Sequence, residues 1–377
     1  MKIFWISITE NCNLNCRYCY QSFNKTRINL NKYTAQRVIE MINLSKPDVV
    51  QFFGGEPLIN FDNIKKIVSN TKDSVKKYSL TTNLTILNSE MINFLNKYEF
   101  SLLISLDGIK ESHDINRKDK FDNPTFEIVE KNLKNLLNKV NKNNLKIAKT
   151  LDINNYIYLS RDYFYFKKLG LDVEVNVDMN IDFSIINLDI LKKEIEIIVE
   201  DIISEKENNI NFWIIKSEYE FLKHLKSGKK IVYASRDSCY DKENMAIAIS
   251  SEGNITPCHF FSETDDKQDF KKINIYNFNQ IEEIESFTRD YFSKNNDFDY
   301  FSEKEILNIS MNELVKKGCD KCKYYYLCAN RIYYHNKNQC FYARYKYRKG
   351  QKNNKNNICI KKIIYESFEK VGIKNEL

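Results

Sequence analysis

"IFWISITENCNLNCRYCY", residues 3–20, runs from an apolar stretch into a loop that places Cys12, Cys16 and Cys19 within eight positions. Residues 3–9 suit a strand, and the polar residues after them suit a loop at its end. Further strands are expected at "VVQFF" (49–53), "YSLTT" (78–82), "FSLLISL" (100–106), "LKIAKTL" (145–151) and "LDVEVNV" (171–177). Helical patterns fall between them, near 33–44, 61–76, 88–97, 125–142 and 156–168. Strands alternating with helices imply parallel pairing through right-handed crossovers, hence an α/β sheet or partial barrel. In such folds chemistry gathers at the carboxyl ends of the strands, so the cysteine loop would face the working side.

The chain has 377 residues, enough for one large core and an appended module. Hydrophobic residues make up 42%, and no apolar run is long enough to span a bilayer. No signal or transit peptide fits the opening residues, which predicts a cytoplasmic protein with no membrane partner. The net charge of +7 is spread over Lys-Asn stretches, with no basic stripe, so no nucleic acid partner is expected. Thiols stay reduced in the cytoplasm, which argues against disulfides for the ten cysteines. Three lie at 12, 16 and 19, and seven at 239, 258, 319, 322, 328, 340 and 359. This distribution suggests two metal-binding regions. Residues 184–234 read as a helical bridge. "MAIAISSEGNITPC" (245–258) then reads as a hairpin opening a loop-rich, cysteine-dense module that depends on metal to fold.

The spacing Cys12-x3-Cys16-x2-Cys19 supplies three thiolates from one loop. That suits a [4Fe–4S] cube with one open iron, since a structural zinc wants four ligands, commonly from paired Cys-x2-Cys units. Zinc remains the alternative. After the second strand comes Gly54-Gly55-Glu56-Pro57. Its glycines would let the backbone approach a ligand, and its carbonyls and Glu56 can accept from an ammonium group. An ordinary βα turn is the other reading. Asn83 follows the third strand. "ISLDG" (104–108) and "HDINR" (113–117) follow the fourth, offering Ser105 and Arg117 to a carboxylate. Together these describe a site for an amino acid chelating iron.

The combination resembles the radical S-adenosylmethionine (SAM) enzymes, whose signature is Cys-x3-Cys-x-aromatic-Cys, here with Tyr18, joined to GGEP and SLDG segments. The resemblance implies a partial (β/α)6 TIM-like barrel. It also implies that the methionine amine and carboxylate of SAM chelate the open iron, and that reductive cleavage yields a 5′-deoxyadenosyl radical. By family position Tyr18 lies near the adenine, Glu56 near the amine, and Ser105 and Arg117 near the carboxylate. Asn83 and Asp107 are less defined: Asp107 serves the substrate side as a catalytic candidate or caps the following helix.

The later cysteines resemble the SPASM extension of peptide-modifying radical SAM enzymes. Cys239-x13-Gly253-x4-Cys258 and Cys319-x2-Cys322-x5-Cys328, with a last Cys359, fit its spacing. Cys340 departs from it, since the pattern would place a cysteine where Ile332 stands; His335 in the same loop is an alternative ligand. The resemblance implies two auxiliary [4Fe–4S] clusters, three in all. Cys319, Cys322, Cys328 and Cys359 would hold the outer one, and Cys239, Cys258 and Cys340 the inner. A zinc ribbon is the competing reading. The expected division is a barrel over 1–183, a bridge over 184–234 and a SPASM domain over 235–377. The expected function is oxidative modification of a ribosomal precursor peptide by thioether or carbon–carbon crosslinking. An anaerobic sulfatase maturase forming formylglycine is the runner-up, and a non-catalytic electron-transfer protein the third reading. Partners would be the peptide or protein substrate and a flavodoxin- or ferredoxin-type electron donor. The strand starting at the third residue leaves no room for an N-terminal leader-binding domain, so a separate leader-binding protein is a further candidate.

Overall fold

A computed structural model describes residues 2–19, 21, 27–178, 185–204, 211–212, 215, 219–220, 245–256, 273–277, 283, 321 and 360–371. The six expected strands are present as β1 (Lys2–Thr9), β2 (Val49–Gly54), β3 (Lys77–Thr82), β4 (Ser101–Ser105), β5 (Leu145–Leu151) and β6 (Asp172–Val177). Each pairs in parallel with the next, in the sheet order β6-β5-β4-β3-β2-β1. Parallel neighbours need crossovers, and the helices supply them: α1 (Lys32–Ser45), α2 (Phe61–Thr71), α3 (Ser89–Lys97), α4 (Lys110–Asp114), α5 (Phe126–Leu137) and α6 (Leu159–Leu169). The α/β parallel architecture read from the sequence is therefore the one observed.

Local chemistry sets the helix ends. Asn31 caps α1 by accepting from Tyr33 N and Thr34 N, and Asn88 caps α3 by accepting from Met91 N. On α1, Thr34, Ala35, Val38, Ile39, Met41 and Ile42 are buried, one stripe at helical spacing. On α2 the stripe is Phe61, Ile64, Ile67, Val68 and Thr71. Each large aliphatic side chain so buried contributes ~1.5–3 kcal/mol. Phe52 on β2, Tyr78 on β3 and Phe100 beside β4 stack between strands and helices, with centroids 5.5–6.2 Å apart.

Within the expected bridge, α7 (Leu188–Ser204) packs on α6. Lys167 Nζ lies 2.6 Å from Asp201, and Glu194 accepts from Ser160 N and Oγ. α8 (Ile360–Lys370) packs on α7, burying Ile363, Ile364, Tyr365 and Phe368. The expected hairpin forms as β7 (Met245–Ile249) and β8 (Asn254–Thr256), antiparallel, with β9 (Ile273–Asn274) beside β8. Its placement was not legible. β7 pairs in parallel with β1, from Lys2↔Met245 to Ile6↔Ile249, so the hairpin extends the barrel sheet. Ser251 Oγ donates to Ser7 O at 3.1 Å and locks the turn to β1. Among the described residues no helix is long and apolar enough to cross a membrane.

Candidate functional site

The cysteine loop leaves β1 at its carboxyl end, where the sequence placed it. Two backbone bonds hold its middle against the segment after α4: Asn15 N to Lys118 O at 2.8 Å, and Arg17 N to Asn116 O at 3.1 Å. Leu14 is buried beneath them. Cys12, Cys16 and Cys19 are half-buried thiols outside any disulfide. Cys12 Sγ accepts from Leu14 N at 3.4 Å and from Asn83 Nδ2 at 3.7 Å. Burial pushes the Cys12 thiol up to about 11 and the Cys16 thiol up to about 12, the latter despite the nearby Arg117 charge. These thiols stay protonated until a metal takes the proton's place. Among the described residues no three His, Cys, Asp or Glu side chains converge on a single ion. A cube makes a different demand, because each thiolate takes its own iron.

The glycines at 54 and 55 stand where a side chain has no room. A Cβ on Gly54 would stand 2.1 Å from Thr9 O, and one on Gly55 2.3 Å from Asn11 O. The close approach they permit within the chain is to the start of the cysteine loop. Gly55 N donates to Thr9 O at 2.7 Å, and Glu56 N to Asn11 O at 2.8 Å. Gly54 also has φ of +139°, which side chains rarely adopt. Pro57 begins a short 3-10 turn (Pro57–Asn60) that Glu56 caps through Leu58 N. The Glu56 carboxylate is fully buried and also accepts from Thr82 Oγ1 at 2.8 Å and Asn83 N at 2.6 Å. Burial raises it to about 7 against these three bonds. A carboxylate offers about four lone-pair sites, so one remains.

Asn83 sits at the centre of the arrangement. Its Nδ2 reaches Cys12 Sγ and Asn13 Oδ1, and its Oδ1 accepts from Thr85 N and Oγ1. Asp107 neither caps a helix nor meets solvent. The residue before α4 is Ile109, without a side-chain cap, and the Asp107 carboxylate is fully enclosed. It pairs with Arg117 at 3.0 Å, and accepts from Thr150 N at 3.0 Å and from the Tyr18 hydroxyl. Burial opposes its charge, yet Arg117 and Lys149 hold its carboxyl below the usual carboxylate range. The Arg117 guanidinium carbon lies 5.2 Å from the Tyr18 ring centroid. Arg117 Nε is buried with no hydrogen-bond partner among the described residues, and Ser105, the last residue of β4, is half-buried. The residues read from the sequence before position 184 therefore come together at one end of β1–β4.

Sequence reasoning missed the supports beneath. Lys149 on β5 and Asp162 on α6 form a fully buried pair at 2.7 Å. Lys149 also donates to Asp107 O at 2.6 Å, while Asp162 accepts from Ser112 Oγ and Ile109 N. Gly108 permits this, since a Cβ there would lie 1.8 Å from Asp162 Oδ1. His113 is buried; its Nδ1 accepts from Asp107 N, and its Nε2 lies 3.1 Å from Thr125 Oγ1. Thr125 in turn donates to Arg117 O at 2.6 Å. Only the identity of "HDINR" as a segment signalled this. Cys239, Cys258, Cys319, Cys322, Cys328, Cys340, Cys359 and His335 lie outside the described residues.

A family model described as the radical SAM superfamily matches residues 6–149. An uncharacterized protein of Methanocaldococcus jannaschii, MJ0907, is 36% identical over 33% of this chain, and the chain spans about half of that curated relative (45%). A GTP 3′,8-cyclase of Clostridium botulinum strain Langeland is 30% identical, over 67% of this chain and 79% of the cyclase. A cysteine-type anaerobic sulfatase-maturating enzyme of Clostridium perfringens strain ATCC 13124 is 25% identical over 85% of each chain. Among solved structures, native anSMEcpe with bound AdoMet superposes with a TM-score of 0.62 at 18% identity, covering 89% of this chain and 96% of that one. Streptococcus suis SuiB bound to precursor peptide SuiA gives 0.53 at 16% identity, covering 78% and 68%. The structural likenesses concern the fold, which they share with the parallel sheet described above.

Proposed function

The chain belongs to the radical SAM superfamily, and from that premise we propose that it is an oxidoreductase that modifies a peptide or protein by radical chemistry. One observation carries the reading. Three half-buried cysteines on one loop stand beside a buried guanidinium whose Nε has no partner among the described residues, all at the carboxyl ends of parallel strands. The donor set fits a three-cysteine cube, and the orphan donor fits an anionic ligand beside it. When bound, the cluster and SAM supply a 5′-deoxyadenosyl radical able to take hydrogen from an unactivated carbon.

The chain's own residues hold and orient. Cys12, Cys16 and Cys19 would hold an iron–sulfur cluster through their three thiolates. Asn83 donates to the Cys12 sulfur and fixes Asn13 of the same loop. Such bonds orient a ligating thiolate and tune its donation. The carbonyls of the 54–57 turn and the remaining lone pair of Glu56 are assigned to the SAM amine. Ser105 and Arg117 Nε are assigned to its carboxylate, and Tyr18 to the adenine side. Cys319, Cys322, Cys328 and Cys359 are assigned to an outer auxiliary cluster, and Cys239, Cys258 and Cys340 to an inner one. Those clusters would accept the electron that a substrate radical loses when it forms a new bond. In this reading 1–183 is the barrel, 184–234 the bridge and 235–377 a SPASM domain. An external flavodoxin or ferredoxin would supply the electron that starts the cycle.

The preferred reaction is thioether or carbon–carbon crosslinking of a ribosomal precursor peptide. A second reading, formylglycine formation, is favoured by the match over 85% of the sulfatase-maturating enzyme. Mass spectrometry separates them, using the anaerobically reconstituted protein and short peptides encoded beside its gene. Crosslinking removes two hydrogens and leaves no aldehyde. A hydrazide-reactive aldehyde would establish the second reading and overturn the first.

A further inference from the structure

Arg117 and Asp107 form an ion pair enclosed against the cysteine loop. Asp107 is fully buried and Arg117 is 7% exposed. Their separation is 3.0 Å, and the guanidinium carbon lies 5.2 Å from the ring of Tyr18, the residue next to Cys19. The frame around them is rigid. Thr150 N and the Tyr18 hydroxyl fix the carboxylate, and His113 Nδ1 accepts from Asp107 N at 3.4 Å. Thr125 Oγ1 holds the Arg117 carbonyl, and Arg17 N on the cysteine loop donates to Asn116 O. At an effective dielectric of about 20, a charge acts about fourfold more strongly on a neighbouring group than in bulk solvent.

We propose that Asp107 is a positioning residue that sets how much of the Arg117 charge reaches a cluster on Cys12, Cys16 and Cys19, and thereby sets that cluster's reduction potential. Reduction adds one electron, so a net positive neighbour favours it and a neutralised one does not. Arg117 is that positive neighbour, its guanidinium carbon 5.2 Å from the ring of the residue between Cys16 and Cys19 in the loop. Asp107 subtracts from that effect. Lys149 Nζ, 2.6 Å from the Asp107 carbonyl, is a second cation beside Asp107. The proposal rests on reading the cysteine loop as a cluster site, and its test separates the two.

The test is a potentiometric titration of the anaerobically reconstituted full chain, followed by electron paramagnetic resonance. The signal of the Cys12–Cys16–Cys19 cluster is recognised by its change on adding SAM. Asp107→Asn keeps the shape and removes the negative charge, and its midpoint should move up. Arg117→Gln should move it down, and the double variant should return close to wild type. Absence of a SAM-responsive signal in the wild-type protein would reject the cluster reading instead. Shifts of the same sign in both single variants, or none in either, would overturn the proposal. Should Asp107→Asn fail to retain the cluster, the Arg117→Gln titration decides: a downward shift upholds it and an unchanged midpoint refutes it.

Discussion

His113 carries no charge in the fold, and this has a consequence for acid stability. Burial pushes its imidazole down to about 3 from an ordinary 6.5, despite the attraction of Asp107. Nδ1 accepts from Asp107 N, so the neutral ring donates through Nε2 to Thr125. An unfolded chain protonates this residue below about 6.5, whereas the folded chain does not until about 3. Stability from this group is therefore complete above 6.5 and is lost as pH falls toward 3. One proton bound on unfolding is worth about 1.4 kcal/mol per pH unit. Urea unfolding from pH 7 to 4 should show wild type losing stability up to about that much per unit faster than His113→Gln. Equal slopes would show that His113 titrates normally. At this scale the sequence was most legible where chemistry restricts residue type. Three cysteines at that spacing, Asn83 after a strand and Arg117 after "HDIN" all reached the site. Gly54 and Gly55 were recognised as close-approach positions, but the backbone they meet within the chain, at Thr9 and Asn11, was not legible. A glycine signals missing room without saying what fills it.

Strands and crossover helices were readable because their apolar residues recur with the right period. Lys149 shows where that reading ends. In "LKIAKTL" the burial alternates Leu145, Ile147, Lys149, Leu151, so the lysine occupies a core position of β5. Its partner Asp162 lies on the next helix, and nothing local announces the pair. The two charges tie β5 to α6 and hold up the Asp107–Gly108 loop through Asp107 O and Ile109 N. Removing one member leaves the other charge buried alone, which typically costs about 3–5 kcal/mol. Lys149→Met should lose that much in urea unfolding, and Lys149→Met with Asp162→Asn should recover most of it. The Asn keeps an acceptor for Ile109 N without the charge. A double variant as unstable as the single one would show that lost shape, not the stranded charge, is responsible. α4, only five residues long, was also invisible, since so short a helix has no period to read.

On the scale of the molecule, the parallel sheet does not stop at the residues that carry the cysteine loop. β7 joins β1 from more than two hundred residues away and brings β8 and β9 with it. The hairpin itself was legible from its turn, but its docking on β1 was not, because a parallel pairing across that distance leaves no local trace. The consequence is physical continuity. β1, which delivers Cys12, is flanked by β2 on one side and β7 on the other, so both of its edges are paired. α8 packs against α7. A strand paired at both edges carries the cysteine loop, and the proposed radical chemistry depends on that loop. That dependence is tested most directly by SAM cleavage without substrate, using anaerobically reconstituted protein under dithionite. Wild type should form 5′-deoxyadenosine, and the variant with Cys12, Cys16 and Cys19 all changed to Ala should form none, with loss of iron. 5′-Deoxyadenosine from the triple variant would contradict the account.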